Sequence, residues 1–264
     1  MTPICGKSVQ LVLLFLFVFL SQKGWAGGSI FGVVRYEGEV PLAKRRPITA
    51  DADVCGTEAV TQNLTLGKRG GVQWVVVSLE GSFEGFVRPS PPPGGYVLNE
   101  RGCRLNPHVL AVPAGSDIKI LNSDHLNHFY KVESRTNPPL ALALPKSVPS
   151  AVLHLDFPEI VELRCGLHEW ERARIVVSRH PYVAISDAEG RFEIKDVPVG
   201  DFTLTFWQES LGARSRRVQI REGEVSRVDI VLGARKESYF PIEPAASLSI
   251  SRLDVNILPI MTVR

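Results

Sequence analysis

From residue 30 to residue 232 the chain alternates short apolar runs with clusters of turn-forming residues. Within several runs apolar and polar positions alternate, as in Asp117-Ile118-Lys119-Ile120 and Phe192-Glu193-Ile194-Lys195. A period of two is the signature of a strand with one buried face. Strands are expected at 30–36, 74–79, 108–112, 118–121, 160–165 and 174–178. More follow at 182–186, 192–194, 202–207, 217–220 and 226–232. No stretch carries a sustained helical stripe. Regularly spaced short strands predict an all-β chain built from sandwiches or barrels. The densest turn signal, Pro89-Ser90-Pro91-Pro92-Pro93-Gly94-Gly95, predicts a surface loop.

The first segment departs from this pattern. Lys7 precedes an unbroken apolar run from Leu11 to Leu20, and Gly24-Trp25-Ala26 offers a small-x-small cleavage site. Such a run is shorter than the ~20 residues of a membrane span, so residues 1–26 are expected to be an export signal. Removing Lys7 and Lys23 takes Lys+Arg from 30 to 28, against 28 Asp+Glu. A neutral mature chain has no global charge to draw it to nucleic acid or an anionic membrane. No other segment is long and apolar enough to span a bilayer, and a periplasmic or secreted location is expected. Three cysteines then remain, Cys55, Cys103 and Cys165, and an odd count in an oxidising compartment suggests one bridge and one free thiol. All six histidines lie between 108 and 180, which confines imidazole chemistry to the middle of the chain. Residues 237–264 read as a separate C-terminal tail.

Two strings carry the candidate chemistry. Asn122-Ser123-Asp124-His125-Leu126-Asn127-His128 follows one expected strand, and Cys165-Gly166-Leu167-His168-Glu169-Trp170-Glu171 follows another. Two imidazoles and a thiolate in one plane, with a weak axial donor, make a blue-copper electron-transfer site. His125, His154 and His180 match no ligand spacing and are expected to be solvated or packed, and His108, after Pro107 in a strand-like run, is expected to be packed. Together with Pro107-His108-Val109 and Ala114-Gly115-Ser116-Asp117, these strings resemble the cupredoxin (plastocyanin-like) family over roughly 100–180. The resemblance implies a Greek-key β-sandwich with His128, Cys165 and His168 as equatorial ligands of one mononuclear copper ion. The family usually places Met where this chain has Glu171. Glu171 is the candidate axial donor; a three-coordinate site and loss of copper are the alternatives. Zinc is the expected competitor, since His, Cys and carboxylate together suit it. With Cys165 assigned to the metal, Cys55 and Cys103 are left to pair, and Cys103 would precede the first strand of the metal-bearing sandwich.

The flanks carry a second resemblance. Gly27 to Val34, the hairpin Asp187-Ala188-Glu189-Gly190-Arg191-Phe192, and Val197-Pro198-Val199-Gly200-Asp201-Phe202 resemble the carboxypeptidase regulatory-like domain. That family implies a small transthyretin-like β-sandwich, related in fold to carbohydrate-binding modules. Its parts stand on both sides of the metal region. The expected order is therefore regulatory-like residues 27–80, a cupredoxin-like insertion at 81–180, and regulatory-like residues 181–236. Insertions are tolerated where the ends of a compact domain lie close together. The sequence shows no Gly-x-Ser-x-Gly, no phosphate-binding glycine loop and no His-Glu-x-x-His, so no enzyme is expected. One-electron transfer to a redox partner protein is the leading expectation. The alternatives are a glycan- or protein-binding module with a vestigial metal site, and copper storage or delivery.

Overall fold

The computed structural model describes residues 27–233; the expected export signal and the 237–264 tail lie outside the described residues. The described chain is all-β apart from the single helical turn Ala52–Cys55 and a 3-10 turn at Lys68–Gly70. Among the described residues no helix is long and apolar enough to cross a membrane.

Two pairs of sheets hold most of the strands, while Arg45–Pro47 with Glu58–Val60 and Thr65–Leu66 with Val72–Gln73 form two separate two-stranded ribbons. In the first pair, a five-stranded sheet runs in the order Leu140–Leu144, His128–Glu133, Glu159–Cys165, Arg172–Ser178, Val109–Pro113. It faces a four-stranded sheet ordered Ser150–Leu155, Ser116–Asn122, Tyr96–Glu100, Leu105–Asn106. Burial alternates along these strands, so Ile118 and Ile120 face inward while Asp117 and Lys119 face water. The inward rows, including Leu98, Ile120, Leu153, Leu163 and Ile175, form one dry core. Burying each such side chain contributes roughly 1.5–3 kcal/mol.

In the second pair, Gly28–Glu37 lies between Arg191–Val197 on one side and Val225–Arg227 and Ile230–Gly233 on the other. The facing sheet is ordered Val183–Ile185, Val76–Glu80, Gly200–Gln208, Gly212–Ile220. Ile30, Val34, Val77, Leu79, Leu204 and Phe206 build its core. Strands from before residue 81 thus share both sheets with strands from after residue 182. The Asp187–Gly190 turn is fixed by chemistry: Asp187 Oδ1 accepts from the backbone N–H of Glu189 and of Arg191. Gly190 sits at φ +79°, and a Cβ there would lie 2.1 Å from the Val34 carbonyl oxygen, so only glycine fits.

A third apolar cluster, Val76, Val109 and Val176 flanked by Trp74 and Trp207, joins the two sandwiches. A buried polar seam runs beside it. His108 Nδ1 donates to the Arg172 carbonyl (3.2 Å), and its Nε2 lies 2.5 Å from Glu209 Oε1. Arg174 Nε donates to Glu209 Oε2 at 3.1 Å. His108 is packed, as expected, but against charge as well as apolar surface.

Several expectations need correction. The 74–79 run is broken because Trp74 takes φ 66°, and regular pairing resumes only at Val76–Glu80. The 226–232 run splits where Asp229 Oδ1 turns aside to accept from Val33 N–H. Cys103 does not precede the first strand of the first sandwich, since Tyr96–Glu100 comes before it and pairs in parallel with Ser116–Asn122. The strand His128–Glu133 escaped the pattern although it alternates cleanly, because its inward positions are His128, Tyr130 and Val132 rather than aliphatics throughout. The 89–95 segment is a surface loop without strand or helix.

Candidate metal centre

His128 opens its strand in the inward phase, and Tyr130 directly opposes Cys165 on the neighbouring strand. The register therefore sets an inward imidazole beside the inward thiol that ends Glu159–Cys165. The approach to His128 is pinned by Asn122, buried to 2% exposure. Its Nδ2 donates to the Leu126 carbonyl (2.7 Å), and its Oδ1 accepts from Leu126 N–H (3.3 Å). The other loop is closed by its own backbone. Gly166 N–H donates to Phe129 O (2.7 Å), Glu171 N–H to His168 O (2.9 Å) and Cys165 N–H to Glu171 O (3.0 Å). This tight return brings residues 165, 168 and 171 to the same side.

The result is four donor groups at one point. One ligand atom from each of His128, Cys165, His168 and Glu171 lies within 4.8 Å of all the others, and all four residues are buried. Cys165 Sγ stands 3.8 Å from His128 Nδ1 and 3.7 Å from His168 Nδ1. Glu171 Oε2 lies 3.0 Å from His128 Nδ1. Its Oε1 lies 3.3 Å from His168 Nδ1, outside hydrogen-bonding geometry. Glu171 does not turn out toward Arg172 or Arg174; its side chain is fully buried. His128 Nε2 is also buried without a partner.

Burial opposes every charge here, and mutual attraction overrides it. Desolvation works against a protonated His128, yet contacts with Cys165 and Glu171 raise it to about 9. The same balance raises His168 to about 11, with Asp51 adding to the pull. Burial would raise the Cys165 thiol, but the two imidazoles lower it to about 7. Glu171 is held below the ordinary carboxylate range by both histidines, against its burial. The cluster is a pair of anions that demands cations, supplied by protons or by a metal. An imidazole pair, a thiolate and a carboxylate whose Oε1 has no hydrogen-bond donor fit a mononuclear copper or zinc ion chemically.

The surroundings contain residues that the sequence reading missed. Tyr130 stacks on His128 at 5.4 Å with planes 9° apart. Its hydroxyl donates to Glu100 Oε2 (3.1 Å), and Glu100 is fully buried. Burial first, and the nearby Glu171 charge second, push Glu100 up to about 9, so it is neutral at pH 7. The signal for Glu100 was its phase, since it shares a strand face with Leu98. Asp51 Oδ2 lies 2.8 Å from His168 Nε2 across 117 residues, and nothing in the local sequence marks it. The bridge Cys55–Cys103 is formed, with Cα atoms 5.5 Å apart, and Cys165 is the free buried cysteine of the described residues. Trp170 Nε1 donates to the Cys103 carbonyl (3.1 Å) and ties the bridge to the ligand loop. His125 and His154 are exposed and His180 is half-buried, away from the cluster.

Comparison with known proteins adds the following. Residues 170–233 match the family model described as the carboxypeptidase regulatory-like domain. No curated protein matches the chain. Among solved structures, the copper-containing nitrite reductase from Thermus scotoductus SA-01 matches at 19% identity and TM-score 0.29, over 38% of this chain and 25% of that one. The chain thus spans about a quarter of that enzyme. A point mutant of amicyanin in its Cu(I) form matches at 17% identity and TM-score 0.30, over 39% of this chain and 98% of that one. The purple cupredoxin from Nitrosopumilus maritimus matches at 14% identity and TM-score 0.27, over 31% and 99%. The chain is therefore similar to the carboxypeptidase regulatory-like domain over residues 170–233.

Proposed function

We propose that this is an exported copper protein that carries single electrons for a partner protein and does not turn over a substrate. One observation carries the reading: a His, Cys, His and Glu donor set, wholly buried, within 4.8 Å. Buried anions without compensation are costly, so a chain that gathers two of them beside two imidazoles is built around a cation. His128, Cys165 and His168 would hold copper through two imidazoles and a thiolate, with Glu171 as the fourth donor. Copper supplies a one-electron couple when bound. The strands and the closed 165–171 loop hold the donors in place, so little rearrangement accompanies a change of charge. The Cys55–Cys103 bridge fits an oxidising compartment such as the periplasm. The sheet pairing supports the division expected above, with residues 81–180 inserted into a regulatory-like sandwich made of 27–80 and 181–236. That outer sandwich is the part suited to a glycan or protein partner.

The test is metal analysis with a visible spectrum on protein from a copper-replete periplasm, followed by redox titration. One copper per chain, a thiolate-to-copper absorption band and reversible one-electron cycling are expected. Stoichiometric zinc without copper would overturn the electron-transfer reading. A folded chain that takes no metal would leave the interaction module as its function.

A further inference from the structure

Resting on the copper reading of this site, we infer that Asp51 is a positioning residue for His168, delivered by the segment that the disulfide ties down. His168 is fully buried, and its Nε2 is 2.8 Å from Asp51 Oδ2. Nε2 is thereby committed as a donor, which leaves Nδ1 to face Cys165 at 3.7 Å and Glu171 at 3.3 Å. A ligating imidazole needs its second nitrogen held in this way, because that bond fixes both ring orientation and tautomer.

The local geometry shows that Asp51 serves this contact. It stands at the N-cap of the turn Ala52–Cys55, where an aspartate side chain ordinarily accepts from its own helix. Here the side chain makes no such cap and reaches the distant histidine instead. Its backbone lies at φ 51°, a left-handed conformation that Asp and Asn tolerate better than other residues with a Cβ. Four residues on, Cys55 is bonded to Cys103, and the Cys103 carbonyl accepts from Trp170 beside His168. Trp170 and His168 lie 5.3 Å apart, centroid to centroid. The staple thus runs from the capping turn to the ligand loop and closes the outer edge of the imidazole.

The experiment compares Asp51→Gly and Asp51→Asn with the wild type. Glycine removes the carboxylate and suits the positive φ, so the backbone is spared. Asparagine keeps an acceptor oxygen but loses the charge. In metal-free protein with 15N-labelled histidine, the Nε2 proton of His168 should exchange slowly with water in the wild type and Asn variant, and rapidly in the Gly variant. Copper affinity should fall about 10- to 100-fold in Asp51→Gly and largely recover in Asp51→Asn. The reduction potential should rise in Asp51→Asn, where an anion beside the imidazole has been neutralised. Wild-type exchange and affinity in Asp51→Gly would overturn the inference. A wild-type chain that binds no copper would overturn the copper reading and leave the decision to the proton. Exchange that depends on Asp51 would then sustain the inference, and equal exchange would overturn it.

Discussion

Replacing both Cys55 and Cys103 with Ser removes a crosslink whose cost to the folded state can be worked from its span. The bridged residues are 48 apart in sequence. In the chain-entropy account, a closed loop of that length removes about 14 cal/mol/K from the unfolded ensemble, or about 4 kcal/mol at 25 °C. That is a large share of the roughly 5–15 kcal/mol by which domains are stable. The bridge is the covalent anchor of a segment with little apolar cover of its own, since the turn Ala52–Cys55 has no buried residue. The assay is urea unfolding of metal-free protein followed by circular dichroism, with chelator present so that metal does not add stability. At an m-value of about 2 kcal/mol/M the midpoint should drop by about 2 M. The Trp170 to Cys103 contact should loosen with it, visible as a shift in tryptophan emission. A loss below about 1 kcal/mol would refute the reasoning. It would mean that the unfolded chain keeps these ends together without the bond, and that the capping turn is held by something other than its staple.

Glu171→Met replaces a hard anionic donor with a soft neutral one and should raise the reduction potential of the copper-loaded protein; equal potentials at equal loading would show that the carboxylate does not ligate. Copper affinity should climb with pH. His128 is raised from 6.5 to about 9, so below that pH a proton must leave before Nδ1 can donate, and a chelator competition from pH 6 to 9 should show at least about a tenfold gain per unit. A flat profile would refute that ordering of charges. At the seam between the sandwiches, Glu209→Ala strands the buried His108 beside Arg174 and should cost about 3–5 kcal/mol in urea unfolding. Burial alone would raise Glu209, but His108 and Arg174 hold it below its ordinary value. Its contribution should therefore be present above pH ~4.5 and be lost in acid, and a pH-independent penalty for Glu209→Ala would contradict it.

How much of this was legible in the sequence depended on how local each cause was. Strands that bury aliphatic rows, such as Ser116–Asn122 and Glu159–Cys165, announced themselves through period-two alternation. Leu140–Leu144 did not: it is a sheet edge in which every position is apolar, so no polar residue marks the inward phase of Leu142 and Leu144. The loop Cys165–Glu171 was legible because its three donors are fixed by hydrogen bonds within a few residues of each other. Glu171 was legible as a position and not as an environment, since its burial depends on His128 arriving from another strand. Asp51 was illegible altogether. Its role exists only because a turn tied to Cys103 lands against a histidine 117 residues away.

The same distinction explains how the site is charged. Cys165 and Glu171 face two imidazoles, while Glu100, equally buried, is neutral at pH 7 because burial and Glu171 together make a third anion too costly. Neutral Glu100 accepts from Tyr130, and Tyr130 stacks on His128, so the carboxyl acts on the site by holding a ring and adds no charge. Asp51 does the opposite. It is partly exposed to water, and it touches the site only through the far nitrogen of His168. One acid is thus sequestered as a neutral wedge and the other is kept at the rim. The difference follows from position: the Glu100 side chain points into the core of the sandwich with Leu98, whereas Asp51 reaches the site from outside on a stapled turn. The inner wall of the site is therefore the work of strand register, and its outer wall that of the disulfide.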